Sequence, residues 1–276
     1  MDQYTTISYK TSKLVTNAYS TSFGLSIRLF APPLRRHIYA VYGLVRVADE
    51  IVDTYKGTEQ RELLDSFEAE TERALITGYS TNPVIHAFAQ TARTYAISSD
   101  LLIPFFESMR MDLTPQKFNQ HTYEAYIYGS AEVVGLMCLK IFTTNQDQYN
   151  SLSEAAKKLG SAYQKVNFLR DIAADTDQLG RWYFPLSSKD TFDEKAKNII
   201  ILDIEKDFLA GRRGIDTLPA SSQKAVRLSY DYYQGLLKKI QQTAASDLLQ
   251  KRVRINNPKK LALLIHTSLN SRRHIS

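Results

Sequence analysis

Carboxylates recur at a four-residue step in two places, Asp49-Glu50-Ile51-Val52-Asp53 and Asp171-Ile172-Ala173-Ala174-Asp175. Both lie in runs with helical periodicity, so each pair projects from one helical face, one turn apart. Like charges at that step repel by roughly 0.2–0.5 kcal/mol on an exposed helix. Here the neighbours are apolar: Val45, Val47, Ala48, Ile51 and Val52 around the first pair, and Phe168, Leu169, Ile172 and Ala173 around the second. Burial among such neighbours raises the cost well above the surface value. A chain that keeps two such pairs must set positive charge against them. Facing pairs that gather divalent metal ions around a phosphorylated substrate meet that need.

The rest of the chain says what scaffold holds them. It has 276 residues, 43 % of them hydrophobic, with only 11 glycines and 8 prolines. Runs of β-branched residues at period two are scarce, so the composition predicts an all-α protein with short connections. No linker or composition shift divides it, and residues 1–276 read as one domain. Periodicity predicts helices over 8–20, Leu34 to Tyr55, 59–77, 83–96, 100–111, 121–143, 147–158, 160–177, 192–209, 220–245 and 258–271. The segment Asp177 to Pro185 holds the only tryptophan, and its glycine and proline mark a loop. Beside a charged site it is either a lid or a buried cap.

The N-terminus lacks the basic and apolar regions of a signal peptide, and no run of 18 apolar residues is found, so the expected location is cytoplasmic. The single Cys138 lies in an apolar stretch and reads as a core side chain. Net charge is +6. The excess gathers at Lys238, Lys239, Lys251, Arg252, Arg254, Lys259, Lys260, Arg272 and Arg273. An anionic membrane surface, an anionic small substrate and a solvated basic face all fit it. A nucleic-acid partner is not expected, since no recognition motif accompanies the charge.

At about 100° per residue, Tyr42, Arg46, Asp49 and Asp53 share one stripe of their helix, and Gln164, Asn167, Asp171 and Asp175 share one of theirs. Both stripes are polar inside apolar helices and carry few Lys or Glu, which sets them inside a bundle, facing a polar cavity. Carboxylate and amide oxygens suit Mg²⁺, which keeps some water and bridges to phosphate oxygens. Arginines, Arg46 and Arg170 among them, and tyrosine hydroxyls hold the remaining oxygens. A diphosphate held this way leaves readily, and an allylic cation left behind needs a dry apolar cavity. His37, His86, His121, His266 and His274 show no zinc spacing, and neither a P-loop nor a GxGxxG occurs.

At these residues the chain resembles the squalene/phytoene synthase family. Ser20-Thr21-Ser22-Phe23 is similar to the family's N-terminal Ser-x-Ser-Phe element, and Ile38 to Asp53 to its first aspartate signature. Met111-Asp112-Leu113 and Tyr126 to Gly135 resemble its central helices. Leu159 to Asp175, followed by Gly180-Arg181-Trp182-Tyr183-Phe184-Pro185, resembles the second signature, and Tyr233 and Arg252-Val253 fit the C-terminal pattern.

The resemblance implies an all-α isoprenoid-synthase bundle with a central active-site cavity, and Mg²⁺-dependent head-to-head coupling of two prenyl diphosphates. In that reading Asp49, Asp53, Asn167, Asp171 and Asp175 bind Mg²⁺, with Mn²⁺ as a substitute. Ser20, Ser22, Tyr42, Arg46, Gln164, Arg170, Tyr233 and Arg252 contact the substrate, and Tyr126 lies near the reacting carbons. The expected reaction takes two geranylgeranyl diphosphates to phytoene through a cyclopropyl intermediate, without NADPH, with peripheral contact to an anionic membrane. The alternatives are a farnesyl diphosphate-using dehydrosqualene or squalene synthase and a non-catalytic helical assembly factor of the same fold. Two positions depart from the family's pattern: Glu50 where a second aspartate is common, and Ala131-Glu132 where Ala-Gly is typical.

Overall fold

The computed structural model describes residues 1–114 and 116–254, with Thr21 and Ser22 described in the backbone only. The predicted helix over 258–271, the cations Lys259, Lys260, Arg272 and Arg273, and the Ser22 side chain therefore lie outside the described residues.

Helices make up nearly all of it: α1 (Gln3–Tyr19), α2 (Thr21–Ile27), α3 (Pro32–Asp53), α4 (Gln60–Thr77), α5 (Pro83–Tyr95), α6 (Ser99–Met111), α7 (Gln120–Ile127), α8 (Val133–Phe142), α9 (Gln146–Gln178), α10 (Glu194–Ile215), α11 (Ala220–Gln241) and α12 (Ala245–Leu248). Local sequence sets most starts. Asp2, Ser20, Asn82, Asn119, Asn145 and Asp193 each accept a backbone N–H of the helix that follows. Prolines stand in the first turns of α3 and α5, where no N–H is missed.

The structure revises the helix reading at three places. α2 is a separate short helix, opened by Ser20 after α1 ends. The predicted 121–143 helix contains one π turn, Tyr128–Glu132, between α7 and α8. And α9 does not break near residue 159. Gly160 sits inside it because a Cβ there would stand 2.6 Å from the Ala131 carbonyl oxygen. The glycine serves close packing against the π turn rather than a helix end.

Two apolar cores fill the bundle. One gathers α3, α5, α6 and α8 around Phe88, Phe105, Phe106 and Leu44. The other gathers α9, α10, α11 and the 182–184 loop around Phe168, Phe208 and Leu236. Each such fully buried side chain contributes ~1.5–3 kcal/mol. Between the cores lies an apolar cavity of about 250 Å³ walled by α3, α8, α9, α10 and α11. The run Gln120–Phe142 is long and apolar enough to cross a membrane by length and composition, contrary to the sequence expectation, but half of it is buried in the bundle. Val133, Leu136, Met137 and Ile141 are in the first core, which makes it a central packing helix.

Candidate active site

α3 presents Tyr42, Arg46, Asp49 and Asp53, and α9 presents Gln164, Asn167, Asp171 and Asp175. All eight are half-buried, while Leu44, Ala48, Val52, Phe168, Leu169 and Ile172 between them are buried. The polar stripes are therefore neither solvated outer faces nor fully buried.

The stripes meet at Arg181. Its guanidinium donates to Asp53 Oδ1 at 2.6 Å and to the carbonyls of Val52 and Asp112 at 3.0 Å each. Its backbone N–H donates to the Asp175 carbonyl at 2.8 Å. Asp112, at the end of α6, accepts from the Tyr126 hydroxyl at 2.6 Å and from the Tyr183 hydroxyl at 3.0 Å. Tyr183 also stacks on Phe168, with centroids 4.2 Å apart. Tyr126 therefore lies buried beneath the carboxylates, its phenol kept protonated by burial and by Asp112. The 177–185 loop is a cap, not a lid: Tyr183 and Phe184 are core residues, and Arg181 reaches into the site.

Excess acid shows in the titration. Burial pushes Asp49 up to about 7, helped by Asp53 and Asp112 against the opposing pull of Arg46 and Arg181. Its side chain is 33 % accessible. Burial likewise pushes Asp175 up to about 7, with Asp171, Asp53 and Asp112 adding to it. Asp112 rises to about 6 by burial, in spite of Arg181 and its two tyrosine donors.

At the other end of the stripe, Arg170 donates to both Asp171 oxygens, at 3.0 and 2.5 Å. Arg252 adds its Nε, 2.6 Å from Asp171 Oδ1. The Val253 N–H fixes that strand of chain on the Arg170 carbonyl at 3.3 Å. Tyr233 donates to Asn167 Oδ1 at 3.3 Å and stacks on Tyr163 at 4.1 Å. Tyr42 stacks on Phe23 at 4.9 Å, and its phenol hydrogen-bonds the Ser20 side chain. Gln164 and Tyr163 line the apolar cavity, as do Phe23 and Val45, so the cavity opens off the polar stripes.

Both departures have a place. Glu50 pairs with Arg46, whose NH1 is 3.8 Å from Asp49. Arg46 Nε is buried without a partner among the described residues, a donor left for an anion. Glu132, on the π turn, lies beside Lys157 and Lys158 of α9. Of the described basic C-terminal residues, Lys239, Lys251 and Arg252 have separate partners. Arg252 belongs to the site, Lys251 pairs with Asp247, and Lys239 donates to the Arg254 carbonyl.

Among the described residues, no three acidic, His or Cys side chains converge closely enough to cage a metal ion. The five residues expected to bind Mg²⁺ are thus brought to one region but not to one point. Arginines hold two of them, Asp53 and Asp171, in ion pairs. The chemistry of the five still fits Mg²⁺, which takes one or two carboxylates and completes its shell with water and substrate phosphate. Burial first, and neighbouring carboxylates second, push Asp49 and Asp175 up, and a bound cation would draw them back down.

Asp112, Arg181 and Tyr183 join the site although none was assigned a role from sequence. Each stood in a motif, but Asp112 is a lone acid at a helix end, with no partner at helical spacing to flag it.

The chain and its fold have counterparts among known proteins. Residues 16–259 match the model of the family described as squalene/phytoene synthase. The chain belongs to the squalene/phytoene synthase family, and its fold is the all-α isoprenoid-synthase fold. It is 28 % identical over 282 residues to the 15-cis-phytoene synthase of Synechocystis, covering 93 % of this chain and 83 % of that one. It is 29 % identical over 270 residues to the chloroplastic phytoene synthase 1 of Arabidopsis thaliana, covering 89 % of this chain but only 62 % of that one. A dehydrosqualene synthase solved with a ligand superposes with a TM-score of 0.80 at 19 % identity, over 98 % of this chain and 99 % of that one.

Proposed function

We propose that the chain is a Mg²⁺-dependent synthase that joins two geranylgeranyl diphosphates head to head into phytoene, and that it works in the cytoplasm. The observation that carries this is the join of an acid-rich, arginine-studded region to an apolar cavity through Gln164, Tyr163 and Val45. One end suits a diphosphate and its metal ions, the other a prenyl tail. The phytoene synthases among its relatives support the twenty-carbon substrate.

In this reading Asp49 and Asp53 hold metal on one side, and Asp171 and Asp175, with Asn167, hold it on the other. The bound metal supplies charge that stabilises the departing diphosphate. Arg46, Arg170 and Arg252 bind diphosphate oxygens, with Tyr42, Ser20, Tyr233 and Gln164 completing the hydrogen bonds. Arg181 keeps α3 and α9 at fixed separation. When the first C–O bond breaks, its electron pair leaves with diphosphate. The allylic carbon is then attacked by the double bond of the second substrate, and loss of a proton closes a cyclopropane. Departure of the second diphosphate opens that ring, and loss of another proton gives the hydrocarbon. The aromatic faces of Tyr126 and Phe168, with centroids 5.9 Å apart, suit the cationic stages. No external hydride enters this sequence, so NADPH is not required.

A second reading uses farnesyl diphosphate. The stacked Phe30 and Phe142, with centroids 5.1 Å apart, narrow the cavity, and the superposed dehydrosqualene synthase supports a shorter tail. Purified protein, Mg²⁺ and each prenyl diphosphate in turn, with and without NADPH, separate the readings by hydrocarbon mass. Phytoene from the C20 substrate, unchanged by NADPH and abolished by chelation, is expected. A C30 product alone transfers the assignment to the second reading, and no product from either substrate leaves the non-catalytic assembly factor.

A further inference from the structure

The outer face of α10 sets large aliphatic side chains beside cations in contact with solvent. Lys195, Ile199, Leu202, Lys206, Leu209 and Arg213 are all exposed. At 100° per residue they fall within an arc of about 80°. Ile199 is 49 % exposed, Leu202 57 % and Leu209 62 %. The buried positions Ile201, Ile204, Phe208 and Gly211 lie on the opposite side, against α9 and α11. A helix face turned fully to water ordinarily carries charge throughout; this one alternates large aliphatics with cations.

The acids of α10 are absent from that stripe and engaged elsewhere. Glu194 accepts the Ala245 N–H at 2.6 Å and pairs with Lys197. Asp203 pairs with Lys165 at 2.5 Å, Glu205 accepts from Gln241 at 2.7 Å, and Asp207 accepts from Ser161 at 2.6 Å. Apart from the Glu194–Lys197 pair within α10, these contacts point back to α9, to α11 or to the chain after it. Within the stripe itself the side chains are apolar or positive.

We propose that this stripe of α10 docks the protein on an anionic membrane surface, with Ile199, Leu202 and Leu209 entering the acyl boundary and Lys195, Lys206 and Arg213 meeting the headgroups. Cationic amphipathic faces bind such interfaces by joining apolar burial to headgroup attraction. A second copy of the chain fits less well. Two-fold pairing of this stripe about its midpoint sets Lys195 against Arg213, like charge on like charge. The inner face of the same helix contributes Gly211, Gly214 and Ile215 to the apolar cavity. One helix thickness, about 10–12 Å, therefore separates the docking face from that cavity. The docking inference stands independently of which reaction the site performs.

The test is vesicle flotation of the full chain with phosphatidylcholine alone and with a rising share of phosphatidylglycerol. Wild type floats with the anionic vesicles and not with the neutral ones. K195Q/K206Q/R213Q loses about 100-fold in partitioning. I199Q/L202Q/L209Q loses at least about tenfold. K238Q/K251Q, on the C-terminal cations, stays within about twofold, since neither residue lies in the stripe. Should a triple variant fail to fold, an environment-sensitive fluorophore at Leu202→Cys in a Cys138→Ala background replaces it. Its emission shifts to the blue on anionic vesicles, while the same label at Ile76→Cys, 82 % exposed in wild type, does not. Wild type that ignores anionic lipid, an unshifted label at position 202, or loss confined to K238Q/K251Q overturns the proposal. So does a lipid-free dimer that the Ile/Leu variant abolishes, which would give the face to a second copy.

Discussion

Helix α9 carries a charged network on each of two faces, and the two are built to different rules. Toward α10, Lys165 lies 2.5 Å from Asp203 and 2.7 Å from Asp207, Ser161 donates to Asp207, and Lys158 stands 3.4 Å from it. Two carboxylates meet two ammonium groups, and Glu132 and Lys157 beside them add one charge of each sign. Toward α3, the carboxylates of Asp49, Glu50, Asp53, Asp112, Asp171 and Asp175 meet the guanidiniums of Arg46, Arg170, Arg181 and Arg252. Six against four leaves two negative charges over, and Asp49, Asp112 and Asp175 are pushed up as a result of burial and of one another. A balanced network stabilises a fold, whereas an unbalanced one holds a vacancy for outside charge.

The sharpest break of that comparison is to remove charge from the open network. Asp49→Asn and Asp171→Asn are each expected to lower turnover by about three orders of magnitude or more, since each removes a charge that would hold metal near the leaving group. Folding should survive, because like-charge repulsion falls when Asp49 is neutralised. Product formation and a thermal melt on the same preparations check both halves. Near-normal turnover in either variant would end the assignment of the aspartate pairs to the chemistry.

The converse change belongs to the balanced network. Lys165→Met strands Asp207 in the interior and should cost about 3–5 kcal/mol, as breaking a buried pair from one side does. Lys165→Met with Asp207→Leu should recover most of it. Denaturant unfolding of the single and double variants reads this directly. A single variant as stable as wild type would mean that the network adds nothing to the α9–α10 packing.

This difference explains what was legible in the sequence. The paired aspartates, Arg46, Gln164 and Asn167 could be read because helical spacing puts them on shared stripes, with Arg170 next to Asp171 in the chain. The fold class followed from the same periodicity. Arg181, Asp112 and Tyr183 were not assigned because their roles are set by tertiary approach: a loop arginine reaching α3, and a lone aspartate at the end of α6. The α9 break was misread because Gly160 signals close packing and helix ends with the same residue. Lys165 was passed over because Asp203 and Asp207, its partners, lie about 40 positions away, and nothing local marks that pairing.

The unbalanced charge also predicts how stability follows pH in chelator. The folded chain holds protons on Asp49 and Asp175 up to about 7 and on Asp112 up to about 6, while the unfolded chain releases them near 3.8. Stability from these groups is present at low pH and is lost as pH rises through 6–7. His37 has the opposite sign. Burial, with Arg36 beside it, pushes His37 down from 6.5 to about 4, so its contribution is present above 6.5 and is lost as pH falls toward 4. The net expectation is a melting temperature that falls by roughly 5 °C from about pH 5.5 to about pH 8. In the Asp49→Asn/Asp175→Asn variant most of that fall should vanish and the His37 trend should emerge. A melt that rises steadily with pH in wild type would contradict the direction of all three carboxylate shifts.

The smallest effect is expected at Glu50, which belongs to the acidic signature but not to the charge left over. It pairs with Arg46, one turn back on α3, and both side chains are about a quarter exposed. Partly exposed pairs of this kind contribute ~0–1 kcal/mol, so Glu50→Gln should leave the melting temperature nearly unchanged. Its effect should fall on Arg46, released to swing toward Asp49 at 3.8 Å and toward bound diphosphate. The expected result is a change in KM of about two- to fivefold with kcat almost constant, because an interaction kept equally in ground and transition states moves KM alone. Steady-state kinetics with the C20 diphosphate checks it. A loss of kcat as large as that of Asp49→Asn would show that Glu50 acts with the unpaired carboxylates rather than only on Arg46.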